Sequence, residues 1–301
     1  MYSVIFMGTP DFAVPCLRAL AGAGADIRLV VTQPDKPVGR KQILTPSDVK
    51  KAALELDLPV YQPTTLRSDE AYEYLRSFEP DFLVVAAYGK ILPKRVLEIP
   101  RIAPVNVHGS LLPHLRGAAP IQRAVIAGDR VSGITTMLMG EGLDTGDILL
   151  QKETPIGERE TAGELFDRLA GMSPELLLET LDGLMKGTIT PVKQNDALAD
   201  YAAMLSQNEA RIPENARSEV VYNLVRGMNP WPVAYTFLDG KKFKVYSCEK
   251  TQILSEGRRG LLSLDGKLYL ACTDRLLLLD EIQAEGGKRM SAQAYLRGHK
   301  L

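Results

Sequence analysis

Residues 104–120 read Pro-Val-Asn-Val-His-Gly-Ser-Leu-Leu-Pro-His-Leu-Arg-Gly-Ala-Ala-Pro. Val105 and Val107 suit a core, so an extended strand turns Asn106 and His108 together toward the opposite face, because side chains alternate with period two. An amide donor and an imidazole then converge on one spot. Gly109, Pro113, Gly117 and Pro120 break the next stretch into an irregular loop with backbone groups free for a ligand. Further on, Glu141-Gly142-Leu143-Asp144-Thr145-Gly146-Asp147 is a glycine-punctuated acidic loop that offers a third polar group. An amide, an imidazole and a carboxylate suit acid–base work and the stabilisation of developing charge. Each piece alone has a structural alternative. Asn106 could be a turn residue, His108 a satisfied core histidine, and the acidic loop an Asx turn or a cation site. An EF-hand is excluded there, because the ligand spacing and the closing glutamate are missing. His114 and His299 read as structural.

The elements that must carry these residues form an α/β pattern. Val4–Met7 and Phe82–Ala87 are continuous apolar runs, Ile27–Val31 reads as another strand, and Phe12–Leu20 and Val49–Leu56 have helical spacing. Unbroken apolar strands between helices imply a mostly parallel sheet covered on both faces. Ile134–Met139 and Ile148–Lys152 read as two more strands. A helical hairpin is expected next: Thr161-Ala-Gly-Glu164 opens one helix as a capping box, Ser173-Pro174-Glu175 opens a second, and Gly187 stops it. These spans give domains at 1–190, a polar connector at 191–206 and a smaller domain at 207–301. The last holds one helix around Val220–Met228, then strands at Val233–Leu238, Phe243–Tyr246, Gly260–Leu264, Leu268–Cys272 and Leu276–Ile282. Asp239-Gly240 and Asp265-Gly266 supply hairpin turns, and five short strands suggest a small, OB-like β-barrel.

Composition narrows the function classes. The 301 residues are 45% hydrophobic and 24% charged, as in an ordinary globular protein, and suffice for two cores. Cys16, Cys248 and Cys272 are odd in number and far apart, which argues against a disulfide framework and a zinc site; no metal is expected. The first apolar run is short and lacks a basic flank, and no stretch reaches the ~20 apolar residues of a membrane span, so a cytoplasmic, membrane-free protein is expected. The net charge of −1 divides unevenly. Residues 1–206 hold 21 Lys and Arg against 26 Asp and Glu, whereas 207–301 hold 15 against 11, a mild bias toward a polyanionic partner. Gly8-Thr9-Pro10-Asp11 sits where a dinucleotide fingerprint would, but it has one glycine of the three required. There is no Walker lysine either.

Asn-x-His-Gly-Ser-Leu-Leu-Pro at 106–113 with Asp144 downstream resembles the signature of the folate-dependent formyltransferase family. The resemblance implies a Rossmann-like catalytic domain, 10-formyltetrahydrofolate as donor, and a catalytic trio at Asn106, His108 and Asp144. It also implies a folate-contacting loop at Ser110, Leu111, Leu112 and Pro113. The chemistry fits those types. A neutral amine attacks the formyl carbon, and the carbonyl oxygen gains negative charge in a tetrahedral intermediate. The Asn106 amide and a protonated His108 could donate to that oxyanion, each such donor being worth about 2.7–4 kcal/mol. Asp144 would favour the imidazolium as an opposite charge, or relay protons from the nucleophile to N10 through water.

Members of the family formylate nucleotides, amino sugars or aminoacyl-tRNA, so the trio does not choose the acceptor. The proline- and glycine-broken loop from 33 to 48, with Lys36, Arg40 and Lys41, is similar to the insertion loop that the methionyl-tRNA branch of the family directs at the acceptor end of tRNA. Arg116–Arg123, Asn229-Pro-Trp-Pro232 and Gly286–Gln293 are similar to the same branch. The resemblance therefore implies transfer of a formyl group to methionyl-initiator-tRNA, giving N-formylmethionyl-tRNA for translation initiation. It also implies phosphate contacts from the loop cations and tRNA binding by the C-terminal domain. The loop departs from the family in reading Arg40-Lys41-Gln42-Ile43, less basic and less glycine-rich, and in having Asp48 where proline is common. A monomer is the default expectation. A small-amine formyltransferase is the competing reading.

Overall fold

The computed structural model describes residues 2–39 and 42–299. In chain order the first elements are β1 (Ser3–Gly8), α1 (Val14–Gly22), β2 (Asp26–Val31), β3 (Lys36–Val38), β4 (Ile43–Thr45), α2 (Asp48–Glu55), β5 (Val60–Tyr61), α3 (Asp69–Arg76), β6 (Phe82–Ala86), α4 (Lys94–Leu97) and β7 (Ala103–His108). Next come β8 (Arg116–Gly117), α5 (Pro120–Ala127), β9 (Val131–Leu138), β10 (Ile148–Pro155), α6 (Ala162–Lys186) and β11 (Tyr201–Ala202). A seven-stranded sheet runs β10-β9-β7-β6-β1-β2-β5. Its strands from β7 to β5 are parallel neighbours, and β9 joins antiparallel to β7. The mostly parallel α/β sheet read from the apolar runs is therefore present. All six residues of β1 and all five of β6 are buried, as strands covered on both faces must be. On one face Ile5, Met7, Leu29, Val31, Leu83 and Val85 pack with Leu75, Tyr88 and Val96.

The chain leaves β1 toward β2 and β5 on one side and then crosses to β6 and β7 on the other. The strand order thus reverses between β1 and β6, which opens a crevice at their carboxyl ends. Gly8 ends β1 there. A Cβ on it would lie 2.7 Å from Ala13 Cβ and 3.0 Å from the Ala86 carbonyl oxygen, so the glycine serves close packing.

The expected helical hairpin is one helix. Thr161 and Glu164 do form the capping box, with Glu164 accepting from the Thr161 backbone N–H at 2.8 Å. Pro174, however, lies inside α6. Proline removes the N–H that would bond the carbonyl four residues back, at Ala170. The Ser173 hydroxyl donates to that Ala170 carbonyl at 2.8 Å, so the helix continues past a residue pair that reads locally as a start.

Two compact units divide the chain. One comprises Met1–Ala118, Ser132–Thr154 and Phe166–Ala202; the other comprises Ala119–Val131, Pro155–Leu165 and Ala203–Leu301. The remaining elements belong to the second: α7 (Ser218–Gly227), β12 (Tyr235–Leu238), β13 (Lys241–Leu254), β14 (Gly260–Leu264), β15 (Lys267–Ala271), β16 (Arg275–Ala284), β17 (Met290–Ser291) and α8 (Ala292–Gly298). The strands form one antiparallel sheet, β12-β13-β16-β15-β14, with β17 on β16. Among the described residues no ladder joins β12 to β14, so hydrogen bonding does not close the expected barrel. β13 is fourteen residues long, with register shifts at Val245/Ser247 and Ser247/Cys248, and it absorbs a stretch whose apolar pattern stops at Tyr246. No helix of the described residues is long and apolar enough to cross a membrane.

Candidate active site

Asn106 and His108 close β7, between β6 and β9, with backbone register Val85–Asn106 and His108–Thr135. Both side chains lie on the same face and both are buried. The His108 Nε2 is 2.9 Å from the Leu115 carbonyl oxygen. A carbonyl only accepts, so Nε2 carries the proton and donates. That bond fixes the ring and leaves Nδ1 facing the carboxylate of Asp144, whose Oδ2 is 3.7 Å away, with the two side chains 7% and 13% exposed. The separation is an electrostatic contact and exceeds hydrogen-bond length. Oδ2 itself accepts from the Gly117 backbone N–H at 2.8 Å. The Asn106 amide, by contrast, bonds no other described residue. Its polar atoms are not among the fully buried, unpartnered ones of the described residues, so its donors and acceptor keep access to solvent and can meet a ligand.

The loop after β7 is built from below. Ser110 donates from Oγ to the His114 carbonyl at 2.6 Å, and Thr135 Oγ1 donates to the Ser110 carbonyl at 2.6 Å. Thr135 Oγ1 also accepts from the Leu112 N–H, and Gln151 Nε2 donates to the Leu112 carbonyl at 2.9 Å. The Leu112–Pro113 bond is cis. Ser110 and Leu112 are buried, whereas Leu111 and Pro113 are partly exposed. At the neighbouring strand ends, Thr9 Oγ1 and Gln33 Nε2 both donate to the Tyr88 carbonyl, at 2.9 and 2.8 Å. Burial pushes the Tyr88 hydroxyl up to about 12.

Sequence reading missed the residues that hold this arrangement from a distance. Gln194 Nε2 donates to the backbone carbonyls of Asp144 and Gly146, at 2.8 and 2.7 Å. Its Oε1 accepts from Arg116 Nε and Nη2. Asp200 Oδ1 accepts from the Leu115 N–H at 2.5 Å. Burial works against the charge of Arg116, but the Asp196 carboxylate and the Tyr201 hydroxyl outweigh it and hold the guanidinium above its ordinary value. Nothing local in 191–202 announces these roles, because each is a side chain reaching the backbone of a distant loop. Of the cations assigned to the basic loop, Lys36 is exposed at the start of β3, its Nζ donating to Gln33 Oε1 at 2.7 Å. Arg40 and Lys41 lie outside the described residues. Among the described residues no group of three or more His, Cys, Asp or Glu side chains gathers as a metal-holding cluster.

A doubly covered sheet with an imidazole, a carboxylate and an unbonded amide near its strand ends is a candidate site for polar chemistry. The model of the formyl transferase family matches residues 2–181, and that of the formyl transferase C-terminal domain matches 204–300; the chain belongs to the formyl transferase family and is a transferase. It is similar to the methionyl-tRNA formyltransferase of Desulfotalea psychrophila, at 49% identity over 99% of this chain and 93% of that protein. Among solved structures it is similar to an N-formyltransferase from Helicobacter canadensis in complex with folinic acid and dTDP-3-aminofucose, with TM-score 0.71, 19% identity, and coverage of 96% of this chain and 100% of that one. It is also similar to HypX from Aquifex aeolicus in complex with tetrahydrofolic acid, with TM-score 0.64, 15% identity, and coverage of 98% of this chain and 47% of that one. At those identities the two structures speak for the fold.

Proposed function

We propose that this transferase moves the formyl group of 10-formyltetrahydrofolate to the free amino group of methionyl-initiator-tRNA, giving N-formylmethionyl-tRNA for translation initiation. In this reading it acts in the cytoplasm as a monomer. The observation that carries the mechanism is the buried His108–Asp144 contact, two residues along the strand from the unbonded Asn106 amide. The near-full-length similarity to a methionyl-tRNA formyltransferase supports the acceptor.

Asn106 Nδ2 and a protonated Nδ1 of His108 donate to the formyl oxygen as the amine nitrogen bonds the carbon, and Asp144 stabilises the imidazolium. The ring has one edge to offer, because Nε2 is committed to Leu115. Collapse of the intermediate breaks the carbon–N10 bond. The proton lost by the attacking amine returns to N10, relayed by the Asp144 carboxylate and water. Ser110, Leu111, Leu112 and Pro113 line the folate. Lys36, Arg40 and Lys41 neutralise phosphates near the acceptor end. Residues 1–190 form the catalytic domain, and 207–301, after the 191–206 connector, act as an OB-like tRNA-binding domain.

The test is incubation with 10-formyltetrahydrofolate and charged initiator tRNA, with charged elongator tRNA and small amines, including a nucleotide amino sugar, as controls. Formylation of methionyl-initiator-tRNA is expected. Transfer to a small amine alone overturns the acceptor.

A further inference from the structure

We infer that the segment 191–202 is a positioning strap for the reacting groups, with Gln194 setting Asp144 and Asp200 setting His108; the inference rests on the roles proposed above for those two residues. Asp144 has a left-handed backbone, φ 52°, which non-glycine residues adopt at a cost and only where neighbours hold them. Two things hold it. The Gly117 N–H fixes its carboxylate, and Gln194 Nε2 fixes its backbone carbonyl at 2.8 Å together with that of Gly146 at 2.7 Å. Gln194 is in turn gripped by the Arg116 guanidinium through two bonds, at 3.0 and 2.8 Å, and both side chains are buried. An amide fits this position because it must donate twice and accept twice at once.

The same segment sets the imidazole. Leu115 supplies the carbonyl that receives His108 Nε2–H, and the Leu115 N–H is held by Asp200 Oδ1. Asp200 also meets His114 Nδ1 at 2.9 Å. Just beyond, β11 pairs in parallel with β8, and the Ala118 N–H donates to the Ala202 carbonyl at 2.9 Å. Gly117, at φ 116°, lies so near Ala202 that a Cβ would be 2.9 Å from its carbonyl oxygen. The strap therefore reaches both the carboxylate and the ring through one intervening group each. None of its side chains has to touch substrate.

The test is steady-state formylation of methionyl-tRNA by the full chain. Gln194→Met removes all four bonds; Gln194→Glu keeps the acceptors for Arg116 and removes the two donors. Each is expected to lower kcat about ten- to a hundredfold, since misplacing a reacting group by about 1 Å costs on that scale. KM for folate and for tRNA should stay within about twofold. The decisive arm repeats both changes in an Asp144→Asn background, where a residue acting through Asp144 adds less than about twofold. A full additional loss there overturns the inference, as does an unchanged kcat in both single variants. Asp200→Ala should lower kcat, and Asp200→Asn, which keeps the acceptor for Leu115, should restore it; failure of that rescue overturns the second half. An Asp144→Asn enzyme with normal kcat would instead sink the proposed role of Asp144, and the Gln194 half with it. If Asp144→Asn is slow and the Gln194 variants are not, the mechanism stands and the strap alone falls.

Discussion

The loop after β7 and the loop from 33 to 48 are both short, glycine- and proline-broken connections, yet they are held in opposite ways. From His108 to Gly117, polar groups bond to partners on β9, on β10, in the acidic loop and in 191–202. Among the described residues of the 33–48 loop, several side-chain bonds are local: Lys36 to Gln33, Gln42 to the Gly39 carbonyl, Thr45 to the Ile43 carbonyl. Its two ends are tied elsewhere: Asp35 takes Lys50 Nζ and Gln62 Nε2, each at 2.7 Å, Gln33 Nε2 donates to the Tyr88 carbonyl at 2.8 Å, and Ser47 Oγ shares a hydrogen bond with Thr32 Oγ1. Chemistry at a carbon centre needs donors fixed before the substrate arrives, because reorganising them during the reaction consumes the stabilisation they supply. Meeting a phosphate backbone needs exposed charge, and its strength lies in counterion release.

The largest effects should come from the first loop. Asn106→Ala and His108→Ala should each lower kcat by about 10²–10³ through loss of one oxyanion donor, with the tRNA dissociation constant unchanged. Equal damage to turnover and tRNA affinity would break the comparison. Gly117→Ala should come next. The added Cβ meets the Ala202 carbonyl at a positive φ, so urea unfolding should show a loss of about 1–3 kcal/mol, together with reduced turnover. Lys36→Ala should act on the other loop alone, raising the KM for tRNA several-fold and flattening the log–log salt dependence of binding by about one. A fall in kcat at saturating tRNA instead would place Lys36 with the chemistry. Asp35→Asn should be the mildest. The hydrogen bond from Lys50, and then that from Gln62, lowers the Asp35 carboxyl below its ordinary value. A depressed carboxylate stabilises the fold above its unfolded value, near 3.9, and the contribution is lost as pH falls through the folded value. The Tm gap between wild type and Asp35→Asn should be present at neutral pH and close as the pH drops below about 4. A gap that widens on acidification would refute it.

Much of this protein was legible from local pattern. Period two puts Asn106 and His108 on one face of a strand, and continuous apolar runs such as Phe82–Ala86 mark a sheet covered on both sides. The Thr161–Glu164 capping box is equally local. Where pattern misled, a distant or unreadable bond decided. Ser173-Pro174 has the form of a helix start, but the Ser173 hydroxyl satisfies the carbonyl that proline abandons, and α6 runs on. The strands of the second unit were visible in short strand-like runs and turn residues, whereas the open ladder path among its described residues was not. Alternation says which face a residue takes, and only three-dimensional register says which edges meet.

The primary structure by itself determined which residues could do chemistry and that two of them share a strand face, because backbone stereochemistry dictates side-chain direction. Only the tertiary structure decided that Nε2 of His108 is spent on Leu115, that Nδ1 faces Asp144, and that Gln194 and Asp200 bind the loops carrying them. Apart from the His108–Asp144 pair, those contacts join side chains to backbone groups as much as 85 residues away, and a hydrogen bond to a distant carbonyl or N–H leaves no periodicity in the chain.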